Sequence, residues 1–255
     1  AKAMYESIVA NKVTHLSGAP IVMATLLNAP DDEKQKIEHV VAFNHAAAPP
    51  PAAVISAMTD AGFELTHLYG LTETYGPATI NEWDADWSAL EPAERSAKRI
   101  RQGIRYVALE GLTVKDPETM RDVPADAETL GEVMFRGNIV MKGYLKNEKA
   151  TQEAFAGGWF HTGDSAWQHA DGAFVFVDRL KHLVRRAGEN ISAAEVEAVL
   201  TTSGLVKQAA VVAARDPIRD EEVAAFIVTD DGATASRELA QDIFQFCRER
   251  LAAFK

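Results

Sequence analysis

The chain has 255 residues, 47% of them hydrophobic, and its 26 basic against 37 acidic side chains leave a net charge of −11. That apolar content fills a core and excludes disorder, and the acidic balance excludes a nucleic-acid partner, since nothing overall neutralises a polyanion. There is no signal peptide, no apolar run nears the ~18 residues of a membrane span, and the single Cys247 permits neither an internal disulfide nor a zinc spacing, so the chain reads as a soluble cytoplasmic protein.

Residues 2–30 predict a helix, a short strand and a second helix, with Ile21, Met23, Leu26 and Leu27 on one apolar face. Val40 to Phe43 reads as a strand. Ala46 to Pro51 reads as a strand-to-helix turn, because proline cannot donate to a ladder and suits a helix entrance. That helix runs to about Asp60 and stops at Gly62. Phe63, Leu65, His67 and Tyr69 then alternate with their neighbours as a strand that delivers Tyr69-Gly70-Leu71-Thr72-Glu73-Thr74-Tyr75-Gly76. Strands alternating with helices imply an α/β sheet, partly parallel, with ligands outside the strand ends.

Residues 82–103, charged and dotted with tryptophan, read as a helical excursion. From Tyr106 to Tyr144 the texture turns to β. Short runs at Tyr106–Leu109, Leu112–Val114 and Gly131–Arg136 are broken by turn chemistry at Asp116-Pro117 and Pro124-Ala125-Asp126. Gly157-Gly158 makes a loop, and Asp171-Gly172 marks a hairpin before a strand at Phe174–Val177. Past Asp178, Ser192 and Glu195 form a capping box, with Ile191 and Val196 as its hydrophobic staple. Two strands, Ala209–Ala213 and Val223–Val228, precede a helix from Leu239 to Leu251 with Ile243, Phe246 and Cys247 inward. The chain opens at Ala1 inside a structured pattern and stops as an amphipathic helix ends, so both ends are expected to be cut.

Three places carry chemistry. Thr72 and Thr74 offer hydroxyls at a strand end beside Glu73, an oxygen ligand suited to Mg²⁺. The same residues also read as a threonine-rich turn with Glu73 near a helix N-terminus. Asp164, in His161-Thr162-Gly163-Asp164, is expected in a tight turn after an aromatic strand, placed either to grip a sugar diol or simply to start the turn. Arg179 follows Asp178 as a potential salt bridge, and Arg179, Lys181, His182, Arg185 and Arg186 together read as a solvated basic face.

Taken jointly, Tyr69-Gly70-Leu71-Thr72-Glu73-Thr74, then Gly158-Trp159-Phe160-His161-Thr162-Gly163-Asp164, then Asp178-Arg179-Leu180-Lys181 running into Gly188-Glu189-Asn190-Ile191-Ser192, resemble the adenylate-forming superfamily of AMP-forming acyl-CoA synthetases. The resemblance covers essentially the whole chain, and Met141-Lys142-Gly143-Tyr144 is also typical of that family. It implies an α/β fold: residues 1–178 as the carboxyl-terminal part of the large domain, a mixed sheet with a small β-barrel-like subdomain, and residues 179–255 as a truncated, mobile α+β domain. It implies a two-step ligase reaction, in which a carboxylate attacks the α-phosphate of ATP and coenzyme A then displaces AMP. Matched residue by residue, Thr72 resembles the phosphate hydroxyl, Glu73 the Mg²⁺ ligand, and Tyr69 with Gly70 the segment along the adenine. Asp164 resembles the ribose acceptor, Arg179 its neighbour on the nucleotide, Lys181 the interdomain hinge and Gly188 the loop facing coenzyme A.

The match has gaps. Upstream of Thr72 nothing resembles the family's phosphate loop, and its catalytic lysine belongs beyond residue 255. Ala46, in His45-Ala46-Ala47-Ala48, and Ala187 stand where glycines are usual. The implied substrate is a short- or medium-chain fatty acid or a relative such as methylthiopropanoate. A separate amino-terminal half, or a second copy of the chain, is the expected protein partner. A non-catalytic nucleotide-binding or assembly module is the alternative.

Overall fold

The computed structural model describes residues 1–46, 52–99, 101–229, 236–252 and 255, with only the backbone described at 52, 53, 92, 93 and 96. The expected proline-rich turn lies outside the described residues beyond Ala46. The chain divides into two compact units, Ala1–Thr162 with Ala166–Phe176, and Gly163–Ser165 with Val177–Lys255. No helix among the described residues is long and apolar enough to cross a membrane.

The first unit opens with α1 (Lys2–Ala10), β1 (His15–Gly18), α2 (Pro20–Leu27), β2 (Val41–His45), α3 (Ala52–Asp60) and β3 (Phe63–Leu71). It continues with β4 (Gly76–Asn81), α4 (Pro92–Arg99) and β5 (Ile104–Arg105). β1, β2 and β3 pair in parallel, β4 and β5 add on antiparallel, and the order is β1-β2-β3-β4-β5. The strands bury alternate residues as expected. Val41, Phe43 and Phe63 meet Met23, Leu26, Ile55 and Met58 in one core, with Phe43 and Phe63 edge to face at 5.9 Å. Ile21, expected on the same face of α2, is instead 71% exposed, because the short helix turns only Met23 and Leu26 fully inward.

β6 (Gly111–Lys115), β7 (Gly131–Arg136), α5 (Glu148–Ala154), β8 (Phe160–Gln168) and β9 (Phe174–Arg179) follow. The four strands form a sheet in the order β6-β7-β8-β9. It is open, not the barrel-like body expected, since among the described residues its end strands β6 and β9 do not pair with each other. The expected strand at Tyr106–Leu109 is a turn, closed by the Leu109 N–H on the Tyr106 carbonyl at 3.0 Å and by the Arg105 guanidinium on the Leu109 carbonyl. Leu109 is fully buried there among Val133, Phe135, Phe160 and Phe174, so its apolar character serves packing and not a ladder. Asp116 and Asp126 behave as turn residues, each accepting two backbone N–H groups from just downstream. All four tryptophans, Trp83, Trp87, Trp159 and Trp167, belong to this unit. Arg99 stacks over Trp83, and Arg136 over Trp159, at 4.3 and 4.5 Å.

The second unit contains β10 (Leu183–Arg186), β11 (Glu189–Ser192), α6 (Ala193–Thr201), β12 (Val206–Asp216), β13 (Asp220–Thr229) and α7 (Arg237–Arg248). Its sheet runs β11-β10-β13-β12, all antiparallel. β12 and β13 extend well beyond the apolar runs that predict them, because the ladder continues through charged residues to the turn at Asp216–Asp220. Val184, Ile191, Val196, Leu200, Val211 and Ile243 form the core. Phe246 and Cys247 on α7 are half-buried, and burial pushes the Cys247 thiol up, which suits a packing role.

Candidate functional site

In the first unit the site residues lie at the tip of β3. Tyr69 rests on the second core, edge-on to Phe174 at 5.3 Å and tilted on Phe135 at 6.1 Å. Gly70 is required by the approach of β4: a Cβ there would lie 2.2 Å from the Gly76 carbonyl oxygen. The strand then tightens into a 3₁₀ turn at Thr72–Thr74, and Tyr75 leaves it at φ 57°.

Thr74, expected to offer its hydroxyl outward, is buried and engaged by its own turn. Its Oγ1 accepts the Leu71 N–H at 3.0 Å and donates within 2.9 Å of the Leu71 and Gly76 carbonyls. Thr72 is exposed and Glu73 half-buried, so these two side chains face outward from the tip. Glu73 is held at both ends: its carbonyl accepts the Met141 N–H at 2.7 Å, and its Oε1 accepts the Tyr144 hydroxyl at 2.9 Å. Burial, then the neighbouring Glu73, raise the Tyr144 phenol above its usual range.

In the second unit Asp164 lies in the middle of β8 and not in a turn; Gly163, at φ 71°, supplies the local irregularity within the strand. The Asp164 side chain is 1% exposed, and Arg179 Nη1, at the end of β9, stands 2.7 Å from its Oδ1. The expected pairing of Arg179 with Asp178 is therefore wrong. Successive strand residues point to opposite faces, so adjacent Asp178 and Arg179 diverge.

Asp178 takes a different role, which the sequence reading missed. Its Oδ1 accepts the Arg179 N–H at 2.7 Å, and its Oδ2 accepts the Ser192 hydroxyl at 2.9 Å and the Ala194 N–H at 3.1 Å. Its carbonyl accepts the Ser165 hydroxyl at 2.9 Å. One residue thus ties three elements: its carbonyl holds β8, and its carboxylate joins the end of β9 to the first turn of α6, where a negative charge also suits the helix dipole. The signal available was Ser192, whose capping position places any nearby acid at a helix start.

Lys181 is exposed in the 3₁₀ turn Leu180–His182. Gly188 sits with Ala187 in the β10–β11 turn, at φ 89° and 51°, and a Cβ at Gly188 would meet open space. The basic cluster is only partly a solvated face, because Arg179 is committed to Asp164 and Arg186 to Glu222. Ser192 accepts the Glu195 N–H at 3.2 Å, but the Glu195 carboxylate takes Lys255 Nζ instead of returning to the cap.

The structure thus gathers Tyr69, Gly70, Thr72 and Glu73 at one strand tip, joins Asp164 to Arg179, and sets Lys181 and Gly188 in exposed turns. Among the described residues no group of three or more His, Cys, Asp or Glu could hold a metal. A cation at Glu73 would draw its remaining ligands from substrate and water, the usual manner for Mg²⁺. The second carboxylate oxygen of Glu73 has no protein partner among the described residues and fits that use.

The AMP-binding enzyme family matches residues 1–145, and the AMP-binding enzyme C-terminal domain matches residues 195–255. Over its whole length the chain is 46% identical to an acetate–CoA ligase of Humulus lupulus and 45% identical to a peroxisomal acetate/butyrate–CoA ligase of Arabidopsis thaliana. It spans about half the length of these curated relatives, 45% of each. Among solved structures, it is similar to the O-succinylbenzoate coenzyme A synthetase of Bacillus subtilis in complex with ATP and magnesium ion. That match has a TM-score of 0.76 and 26% identity, and covers all of this chain and 49% of that one. An ATP-bound RpMatB-BxBclM chimera aligns with a TM-score of 0.79 and 27% identity, over all of this chain and 48% of that one.

Proposed function

The chain belongs to the AMP-binding enzyme family, and from that membership we propose that it serves an ATP-dependent, AMP-forming carboxylic acid–CoA ligase acting on a short- or medium-chain acid. The carboxylate of the acid attacks the α-phosphate of ATP and expels pyrophosphate; the thiol of coenzyme A then attacks the acyl carbon and AMP leaves. Thr72 donates its hydroxyl to phosphate, Tyr69 and Gly70 line the adenine, and Glu73 holds Mg²⁺. Bound Mg²⁺ neutralises phosphate charge. Arg179 exchanges its hold on Asp164 for the nucleotide, freeing the Asp164 carboxylate to accept the ribose hydroxyls. Lys181 is the hinge, and the Gly188 turn, with no side chain in the way, faces coenzyme A. Little covalent chemistry falls to the protein, so positioning and charge dominate.

The observation that carries this reading is the division of labour at the β3 tip: Thr74 is consumed by the turn, while Thr72 and Glu73 are presented outward. The names of the two relatives, one for acetate and one for acetate and butyrate, support the short end of the substrate range. The test is ATP–pyrophosphate exchange with acids from acetate to octanoate, using the chain alone and mixed with the amino-terminal portion of a longer relative, alongside calorimetry with AMP. Exchange in either sample supports the ligase. AMP binding without exchange in both would favour a non-catalytic nucleotide-binding module, and no AMP binding would defeat both. We propose a cytoplasmic location; recovery in the peroxisomal fraction, the compartment of the Arabidopsis thaliana relative, would overturn that.

A further inference from the structure

Tyr144 meets Glu73 across 71 residues of sequence, and the segment between them is shaped to make that meeting. Gly143, at φ 154°, lies so close to α5 that a Cβ would come within 2.6 Å of Thr151 Cγ2. This approach lets the Tyr144 N–H donate to Thr151 Oγ1 at 2.9 Å, while the Thr151 hydroxyl donates to the Asn147 carbonyl at 2.9 Å. Asn147 caps α5 through the Ala150 N–H at 3.1 Å, and its own N–H returns to the Tyr144 carbonyl at 3.2 Å. Three residues earlier, the Met141 N–H grips the Glu73 carbonyl. The phenol therefore reaches Glu73 from a backbone fixed at two points, and it engages one carboxylate oxygen only.

We propose that Tyr144 is a positioning residue that fixes the Glu73 carboxylate with Oε1 occupied and Oε2 presented to the magnesium ion of the nucleotide. This rests on Glu73 being the Mg²⁺ ligand. A carboxylate at a partly exposed strand tip otherwise rotates freely, and a metal must then pay for stopping it. A hydrogen bond to one oxygen removes that freedom and disfavours bidentate capture, leaving the single-oxygen mode that the small, octahedral Mg²⁺ prefers.

The experiment uses Mn²⁺ as the probe, titrated by electron paramagnetic resonance into the chain with saturating ATP, for the unmodified protein, Tyr144→Phe and Glu73→Gln. Glu73→Gln is expected to abolish the protein-dependent Mn²⁺ site. Tyr144→Phe is expected to weaken it about ten- to a hundredfold, the scale on which losing a hydrogen bond to a metal-ligating group lowers metal affinity. Excess Mn²⁺ should restore full occupancy in Tyr144→Phe, which a folding defect would not allow. Unchanged affinity in Tyr144→Phe with loss in Glu73→Gln would overturn the positioning role alone. Unchanged affinity in Glu73→Gln, or no protein-dependent site in the unmodified chain, would overturn the metal role of Glu73 and this proposal with it.

Discussion

Arg179 Nη1 lies 2.7 Å from Asp164 Oδ1, an ion pair whose acid is buried and whose base is nearly half-exposed. The asymmetry sets the cost of breaking it. Arg179→Ala removes the nearest cation from a buried carboxylate and is expected to destabilise the second unit by roughly 1–3 kcal/mol. Asp164→Ala leaves an arginine that can turn to water and should cost less. The double variant should fall below the sum of the two, with a coupling of about 1 kcal/mol or more in a urea double-mutant cycle. Additive effects would mean that the pair contributes nothing. Asp164→Ala should also weaken AMP binding in calorimetry, because the sugar loses its acceptor.

Ser192 does more than cap α6. Its hydroxyl accepts the Glu195 N–H and donates to buried Asp178. Ser192→Ala is therefore expected to cost about 2 kcal/mol, above the ~1 kcal/mol of a lost cap alone, since a donor to a buried carboxylate goes as well. Ser192→Thr should recover most of it. Urea unfolding followed by far-ultraviolet circular dichroism measures both.

The β10–β11 turn predicts substitutions of opposite sign. Ala187 occupies the left-handed region at φ 51°, where a Cβ is strained, and Ala187→Gly should stabilise by about 0.5 kcal/mol after the added freedom of the unfolded chain is subtracted. Gly188→Ala, at φ 89° in open space, should destabilise by about 1 kcal/mol from backbone strain alone. Hydrogen exchange of the β10 and β11 amides would report the two directions.

His45 makes the first unit acid-sensitive. Burial, then stacked His67 at 4.7 Å, push its imidazole down to about 4. The fold therefore holds the neutral ring and the unfolded chain binds the proton more readily. The associated stability is complete above the ordinary histidine pKa near 6.5, declines as pH falls from there to about 4, and levels below that. Its size is on the order of 3 kcal/mol. His45→Asn should flatten this slope in urea midpoints taken between those limits; an unchanged slope would assign it to other groups.

Elements defined by their own residues were legible in the sequence. β7 was readable end to end because Gly131 and Arg136 bracket the apolar Val133-Met134-Phe135, and β3 because its alternation is clean. Ser192 announced the start of α6. What escaped was every choice of distant partner. Nothing local distinguishes Asp164 from Asp178 as the partner of Arg179; strand pleat decides it. The apolar content of Tyr106–Leu109 is equally good for a strand or for a turn that drops Leu109 into a core. The inward Thr74 and the Tyr144 bridge likewise depend on which segments the sheet brings side by side. The expected tight turn at Asp164 failed because Gly163 takes up its positive φ inside a continuing strand.

The placement of the four tryptophans gives a practical separation. All of them, and all five tyrosines, fall in the first unit, while the second carries neither. Near-ultraviolet absorbance and intrinsic emission are thus blind to the second unit, whereas peptide-bond dichroism sees both. Recording the two signals on one denaturation series splits the melting of the halves without a label. A variant such as Ser192→Ala should move the dichroism curve and leave the emission curve where it was.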